Sequence, residues 1–179
     1  MSIMIDLRSV IDEGVGASLT IKGTTESISA GGSDKPNCFT RGPIEYCCTT
    51  PISYELDFIN AGECVQASCK VHADLSTGCV RCLRDFDLCV DSRIDETFFF
   101  EPSDDEYGDP YPVIDESCRV DIEPMLLEAL LVEAPFAPIH DDECQGLCVK
   151  CGVDLNEKEC DCADEVDSSH PFAGLKDLI

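Results

Sequence analysis

Five cysteines fall within nineteen residues near the end of the chain, in Cys144-Gln-Gly-Leu-Cys148-Val-Lys-Cys151-Gly152 and, after a short polar interval, Cys160-Asp-Cys162. No other stretch restricts so tightly what the chain can fold into. A Cys-x-x-Cys-Gly unit brings two thiolates from either side of a tight turn, and its glycine lets backbone amides point at the sulfurs. A second pair of ligands nearby closes a tetrahedron. Cys160 and Cys162 supply such a pair, because Val153 to Glu159, with Asn156 able to turn the chain, is long enough to bring them back.

The spacing therefore predicts a structural zinc site on four of Cys144, Cys148, Cys151, Cys160 and Cys162, with Cys148, Cys151, Cys160 and Cys162 preferred. Cys144 either takes the place of Cys160 or Cys162 or stays outside the ligand set. A closed site has no vacant position for water, so it holds structure and hydrolyses nothing. Cys79-x-x-Cys82 is a second thiol pair with only half the ligands of a closed site. A metal there needs partners from elsewhere, such as Cys89 or the C-terminal cluster, and packing of a tight turn is the expected reading. His140, near the cluster, is expected to be a solvated loop residue.

The 179 residues suit one domain with a small appendage, and 44% apolar content is enough for a core. Twelve Lys and Arg against 37 Asp and Glu leave a formal net charge of −25. A general polyanion binder neutralises phosphates with clustered cations, which this chain lacks, so a basic protein partner fits better. Met1 to Arg8 shows no basic segment followed by an apolar one, and Met125 to Val132 is too short an apolar run to cross a bilayer. We expect a cytoplasmic protein without membrane contact, where thiols stay reduced and clustered cysteines bind metal more often than they pair.

Period-two alternation marks strands at Ser18 to Lys22, Ile52 to Phe58, Cys64 to Leu75 and Leu88 to Phe100, the last two as antiparallel neighbours. Pro43 to Pro51, with vicinal Cys47 and Cys48, carries no clear pattern. Glu101 to Pro112, with three prolines and a run of acids, is expected to be a solvated loop. Asp121 can cap a helix that Pro124 enters and Pro135 ends; its apolar circumference implies burial on more than one side. The expected fold is α+β: an antiparallel sheet or partly closed barrel packed on one main helix near 121–133, within a core of residues 1–139. A Cys-rich zinc-knuckle segment at 140–165 and a docking tail at 166–179 follow it.

Taken in order, Cys79-Val-Arg-Cys82-Leu83, the Phe98 strand with its acidic loop, Asp121-Ile-Glu-Pro-Met-Leu-Leu-Glu-Ala-Leu-Leu131, Ala134-Pro135, Cys144-x-Gly-Leu-Cys148-x-x-Cys151-Gly-x-Asp-Leu-Asn156, Cys160-Asp-Cys162 and the Pro-Phe-Ala-Gly-Leu tail form a familiar series. Over residues 60 to 179 the chain resembles the YceD family, the large ribosomal RNA subunit accumulation proteins of bacteria and plastids. The resemblance implies a non-enzymatic factor for large-subunit ribosomal RNA, commonly encoded beside a zinc-ribbon ribosomal protein, and it brings no catalytic residues. It also implies that the knuckle stabilises more than it works, because some members lack the C-terminal cysteines yet keep the Cys-x-x-Cys segment and the tail.

The leading expectation is thus a ribosome-assembly factor that binds a basic ribosomal or ribosome-assembly protein. Direct, weak contact with ribosomal RNA through Arg81, Arg84 and Arg93 is the alternative, and a thiol redox protein is a further one. The redox reading is weakened because a Cys-x-x-Cys of that kind opens a helix in a βαβ unit, whereas strands flank Cys79 and Cys82. Of the histidines, His72, His140 and His170 sit in no recognisable constellation with a nucleophile.

Overall fold

In a computed structural model of the chain, the described residues are 3–26, 28, 35, 37–100 and 112–162. They form β1 (Met4–Asp6), α1 (Arg8–Asp12), β2 (Ser18–Thr25), β3 (Cys38–Arg41), β4 (Ile44–Cys48), β5 (Ile52–Asn60), β6 (Cys64–Gly78), β7 (Asp85–Phe99), β8 (Arg119–Asp121) and α2 (Glu123–Glu133). The expected acidic loop, apart from Pro112, and the docking tail lie outside the described residues.

β6 is the central strand. Along one edge it pairs β7 over its whole length, from Cys64 opposite Phe99 to Gly78 opposite Asp85. Along the other edge it pairs first β5 and then, at Leu75 and Ser76, β4, which carries β3 beyond it. β2 lies outside β5. All these pairings are antiparallel, and a small two-stranded sheet joins β1 to β8. β2 and β7 do not pair, so among the described residues the sheet is open and not the partly closed barrel of the alternative expectation.

The alternation that marks β6 has a direct physical cause. Val65, Ala67, Cys69, Val71, Ala73 and Leu75 face one side and are all buried, because successive side chains on a strand point to opposite faces. Val90 and Phe98 of β7 and Leu56 and Phe58 of β5 extend that face. α2 lies across it, on β7 and β6, with Met125, Leu126, Ala129 and Leu130 buried; Leu7 and Val10 fill its margin. The result is mostly antiparallel sheet with few helices. The expected main helix is 11 residues long and covers a core that the sheet defines.

Asp121 does not itself occupy the cap of α2, which falls at Ile122, but its carboxylate accepts the amides of Glu123 (3.0 Å) and Ile3 (3.1 Å). It therefore starts the helix and ties it to β1. At the other end, Arg41 donates to the carbonyls of Val132 and Ala134 and stacks 3.5 Å above the Phe136 ring, placing a cation at the negative helix terminus. The patternless stretch from Pro43 to Pro51 holds β4, so β3 and β4 form a hairpin across Gly42, which has φ +61°. Cys38 and Cys47, directly opposite each other in it, are joined by a disulfide, which corrects the expectation of uniformly reduced thiols.

Candidate metal centre

From Ala134 to residue 162 the chain forms no helix or strand, and local hydrogen bonds set its shape. Cys148 to Val153 is one tight turn: Gly152 donates to the Cys148 carbonyl (2.8 Å), and Cys148 donates to that of Val153 (2.8 Å). Gly152 sits at φ +72°, a conformation that costs a side chain about 1 kcal/mol or more. Asp154 and Asn156 reverse the chain as expected, with Asn156 donating its amide to the Asp154 carboxylate (2.9 Å) and the amides of Glu157 and Lys158 reaching the Asp154 carbonyl.

That path returns Cys160 and Cys162 to the turn. The sulfurs of Cys148, Cys151, Cys160 and Cys162 all lie within 4.8 Å of one another, so the preferred four of the five candidates converge. The donor set is soft and tetrahedral in number, which suits zinc. The electrostatics have the form a cation needs. The amides of Cys151 and Lys150, pointed at the Cys148 sulfur, draw its pKa down to about 6, while the hydrogen bond that the Cys162 thiol donates to Cys151, desolvation and the nearby Cys148 push Cys162 up to about 12. Four thiolates this close repel one another unless a positive charge sits among them.

Cys144 does not join this set. It lies 3.9 Å, sulfur to sulfur, from Cys79, within a second group of Cys79, Cys82, His140 and Cys144 whose ligand atoms also lie within 4.8 Å of one another. His140 is not a solvated loop residue: its Nδ1 stands 3.4 Å from the Cys82 sulfur, and its ring meets Phe86 edge-on. Cys89, suggested as a partner for Cys79 and Cys82, lies instead on β7 in an exposed group with His72 and Asp91. The signal for the second group was present in the sequence as a count: seven clustered cysteines and one nearby histidine are eight donors, enough for two tetrahedra.

The arginines proposed for phosphate contact are mostly spent inside the protein. Arg84 donates to the carboxylates of Asp154 (3.1 Å) and Glu157 (2.9 Å), and Arg81 donates to the Cys144 carbonyl (3.0 Å). Arg93 stands apart on the open face of the sheet, in a cross-strand row with Lys22, Glu55 and Lys70. The Cys79-x-x-Cys82 turn joins two strands and opens no helix, against a thioredoxin-like role. At Cys89, slight desolvation and the carboxylates of Asp91 and Asp74 push the thiol pKa up, which disfavours a reactive thiolate.

An open antiparallel sheet whose longest hairpin turns at Cys-x-x-Cys, followed by a cysteine-rich segment, defines a small α+β protein with donors for structural metal, and comparison with known proteins gives it a family. Residues 67–179 match the model for "Large ribosomal RNA subunit accumulation protein YceD", and the chain belongs to that family. It is similar to the chloroplastic large ribosomal RNA subunit accumulation protein YCED homolog 1 of Arabidopsis thaliana, with 25% identity over 170 residues, covering 78% of this chain and 53% of that one. An uncharacterized protein of Mycobacterium leprae is 30% identical over 112 residues, 59% of this chain and 49% of its own. One of Mycobacterium bovis is 34% identical over 84 residues, 43% and 38% respectively. The chain thus spans about half the length of the first two and less of the third. No solved structure matches it. Among the described residues no helix is long and apolar enough to cross a membrane.

Proposed function

We propose that the chain is a non-enzymatic, cytoplasmic factor in the accumulation of large-subunit ribosomal RNA, and that it acts by binding a basic ribosomal or ribosome-assembly protein. Zinc at Cys148, Cys151, Cys160 and Cys162 would fix the segment after Ile139 so that it presents a surface. The observation that carries this reading is family membership combined with a net charge of −25, which favours a cationic partner and disfavours bare RNA. The internal pairing of Arg84 and the engagement of Arg81 support the protein partner over direct phosphate contact.

Depletion of the protein in its own cells, followed by quantification of large- against small-subunit ribosomal RNA and by affinity purification with mass spectrometry, tests it. We expect a deficit in the large-subunit RNA and recovery of a basic ribosomal or assembly protein. Unchanged ribosome profiles together with no such partner would overturn the reading. Salt-sensitive binding of naked RNA, lost on Arg93→Ala, would put the RNA reading in its place.

A further inference from the structure

We infer that Cys79, Cys82, His140 and Cys144 form a second zinc centre, which staples the segment after α2 onto the turn between β6 and β7. This inference uses residues outside the tetrathiolate set and stands independently of it.

The turn from Cys79 to Arg84 repeats the turn from Cys148 to Val153. In the first, Leu83 donates to the Cys79 carbonyl (2.9 Å) and Cys79 donates to that of Arg84 (2.8 Å); in the second, Gly152 and Cys148 make the corresponding bonds, each at 2.8 Å. The residue after the second cysteine is left-handed in both, at φ +61° for Leu83 and +72° for Gly152. A leucine held in that conformation costs about 1–2 kcal/mol, so the shape of this turn is imposed on an unsuitable side chain. It is the shape that turns two thiols and the intervening amides toward one point.

The partners then arrive at ligand distances. Zinc bonds of about 2.3 Å to sulfur and 2.0–2.1 Å to nitrogen, at tetrahedral angles, separate two sulfurs by about 3.8 Å and a sulfur from a nitrogen by about 3.5 Å. The Cys79–Cys144 separation is 3.9 Å, and that of Cys82 from His140 Nδ1 is 3.4 Å. Cys79, Cys82 and Cys144 form a buried cluster of their own, apart from the main core, and among the described residues the hydrophobic side chains packed around it are Phe86, Ile139 and Leu147. Three small thiols bury little apolar surface, so packing alone gives this cluster little reason to hold together. A disulfide between Cys79 and Cys144 would leave Cys82 and His140 without a task.

The surroundings brace the same junction. Leu147 donates to the Arg81 carbonyl (3.1 Å) and Val80 to that of Pro138 (2.9 Å), so backbone from both sides of the segment meets the turn. Asn156 accepts the Gln145 amide (2.8 Å) and points its own amide at the Cys144 sulfur (3.6 Å), linking the second group to the reversal that carries the first. Such outer contacts orient ligands in metal sites.

The test counts zinc in the full chain, produced with zinc and kept reduced, by elemental analysis and native mass spectrometry. We expect two ions in the wild type, one in Cys82→Ser, one in Cys151→Ser and none in the double variant. Cobalt substitution should give the Cys151→Ser protein a spectrum of three thiolates and one imidazole. His140→Cys, which keeps four donors should Cys82→Ser fail to fold, should retain two ions and move that spectrum to an all-thiolate one. A wild type with one ion that Cys82→Ser leaves in place, rapid alkylation of Cys82 and Cys144 in the metal-loaded protein, or a Cys79–Cys144 disulfide under reducing preparation would each overturn the inference. A single ion lost with Cys82→Ser but kept with Cys151→Ser would sustain it and count against the tetrathiolate site instead.

Discussion

Arg84 lies 3.1 Å from the carboxylate of Asp154, so the first residue before β7 is ionically tied to the turn of a segment that begins more than fifty residues later. Glu157 shares the same guanidinium at 2.9 Å. Both contacts are partly solvated, and pairs of this kind contribute at most about 1 kcal/mol, less at high salt. Arg84→Ala should therefore leave the melting of the sheet nearly unchanged while raising amide exchange across residues 145–158. Equal exchange in both proteins would show that the pair only decorates the surface.

Gly146 faces a harder limit. Its φ is +75°, and a Cβ added there would stand 3.0 Å from the Arg81 carbonyl oxygen, which is backbone and cannot swing aside. Gly152, at φ +72°, meets nothing within 4 Å. Gly146→Ala should cost about 1–3 kcal/mol and Gly152→Ala about 1 kcal/mol, the difference arising from the close approach. Thermal unfolding of the two variants, side by side, measures it.

Removing metal from the tetrathiolate site should act locally. Cys148→Ser or Cys151→Ser is expected to release zinc from that site and loosen residues 148 to 162, while His140 and Cys144 stay beside Cys79 and Cys82 and the pairing of β5, β6 and β7 persists because none of those residues belongs to the main core. Hydrogen exchange with mass spectrometry should show fast exchange confined to that segment. Collapse of protection throughout β6 would contradict it.

Tyr46 is wholly buried, stacks on Phe39 with ring centroids 5.5 Å apart, and donates its hydroxyl to the Pro135 carbonyl just past α2. Tyr46→Phe keeps the stack and strands that carbonyl, so it should destabilise by about 1–3 kcal/mol. A chemical-denaturation midpoint unchanged from wild type would show that water replaces the bond.

The His72 pKa is raised from its ordinary value because its ring bonds the Asp91 carboxylate at 2.8 Å, an effect that outweighs slight desolvation. With the folded pKa raised, the pair contributes fully below the unfolded value, and the contribution fades as pH rises through the folded one. The site is exposed, so the energy is small and the shift itself is the observable. NMR titration should place His72 above its unfolded value, and Asp91→Asn should bring it down.

Where a physical period spans a whole element, the sequence displayed it. β6 alternates for 15 residues because one face is covered throughout, and α2 is bracketed by Asp121, Pro124 and Pro135. The β3–β4 hairpin was hidden because its strands are only 4 and 5 residues long and are interrupted by Gly42 and Pro43. For the cysteines, local spacing was enough to group Cys148, Cys151, Cys160 and Cys162, whose sulfurs lie within 4.8 Å of one another, since the turn that joins them is made of neighbours in sequence. Cys144 escaped that logic: its partner Cys79 is 65 residues away, and only the pairing of β6 with β7 and the path after α2 bring the two together.

That separation also orders events during synthesis. The ends of the Cys79–Arg84 loop are held by bonds within the loop itself, so the hairpin can close while its downstream partners are still being translated. His140 and Cys144 emerge to meet a prepared receptor. A nascent chain stalled before Ile139 would carry two unsatisfied sulfurs at the tip of an otherwise finished hairpin, open to any oxidant or thiophilic ion that reached them first.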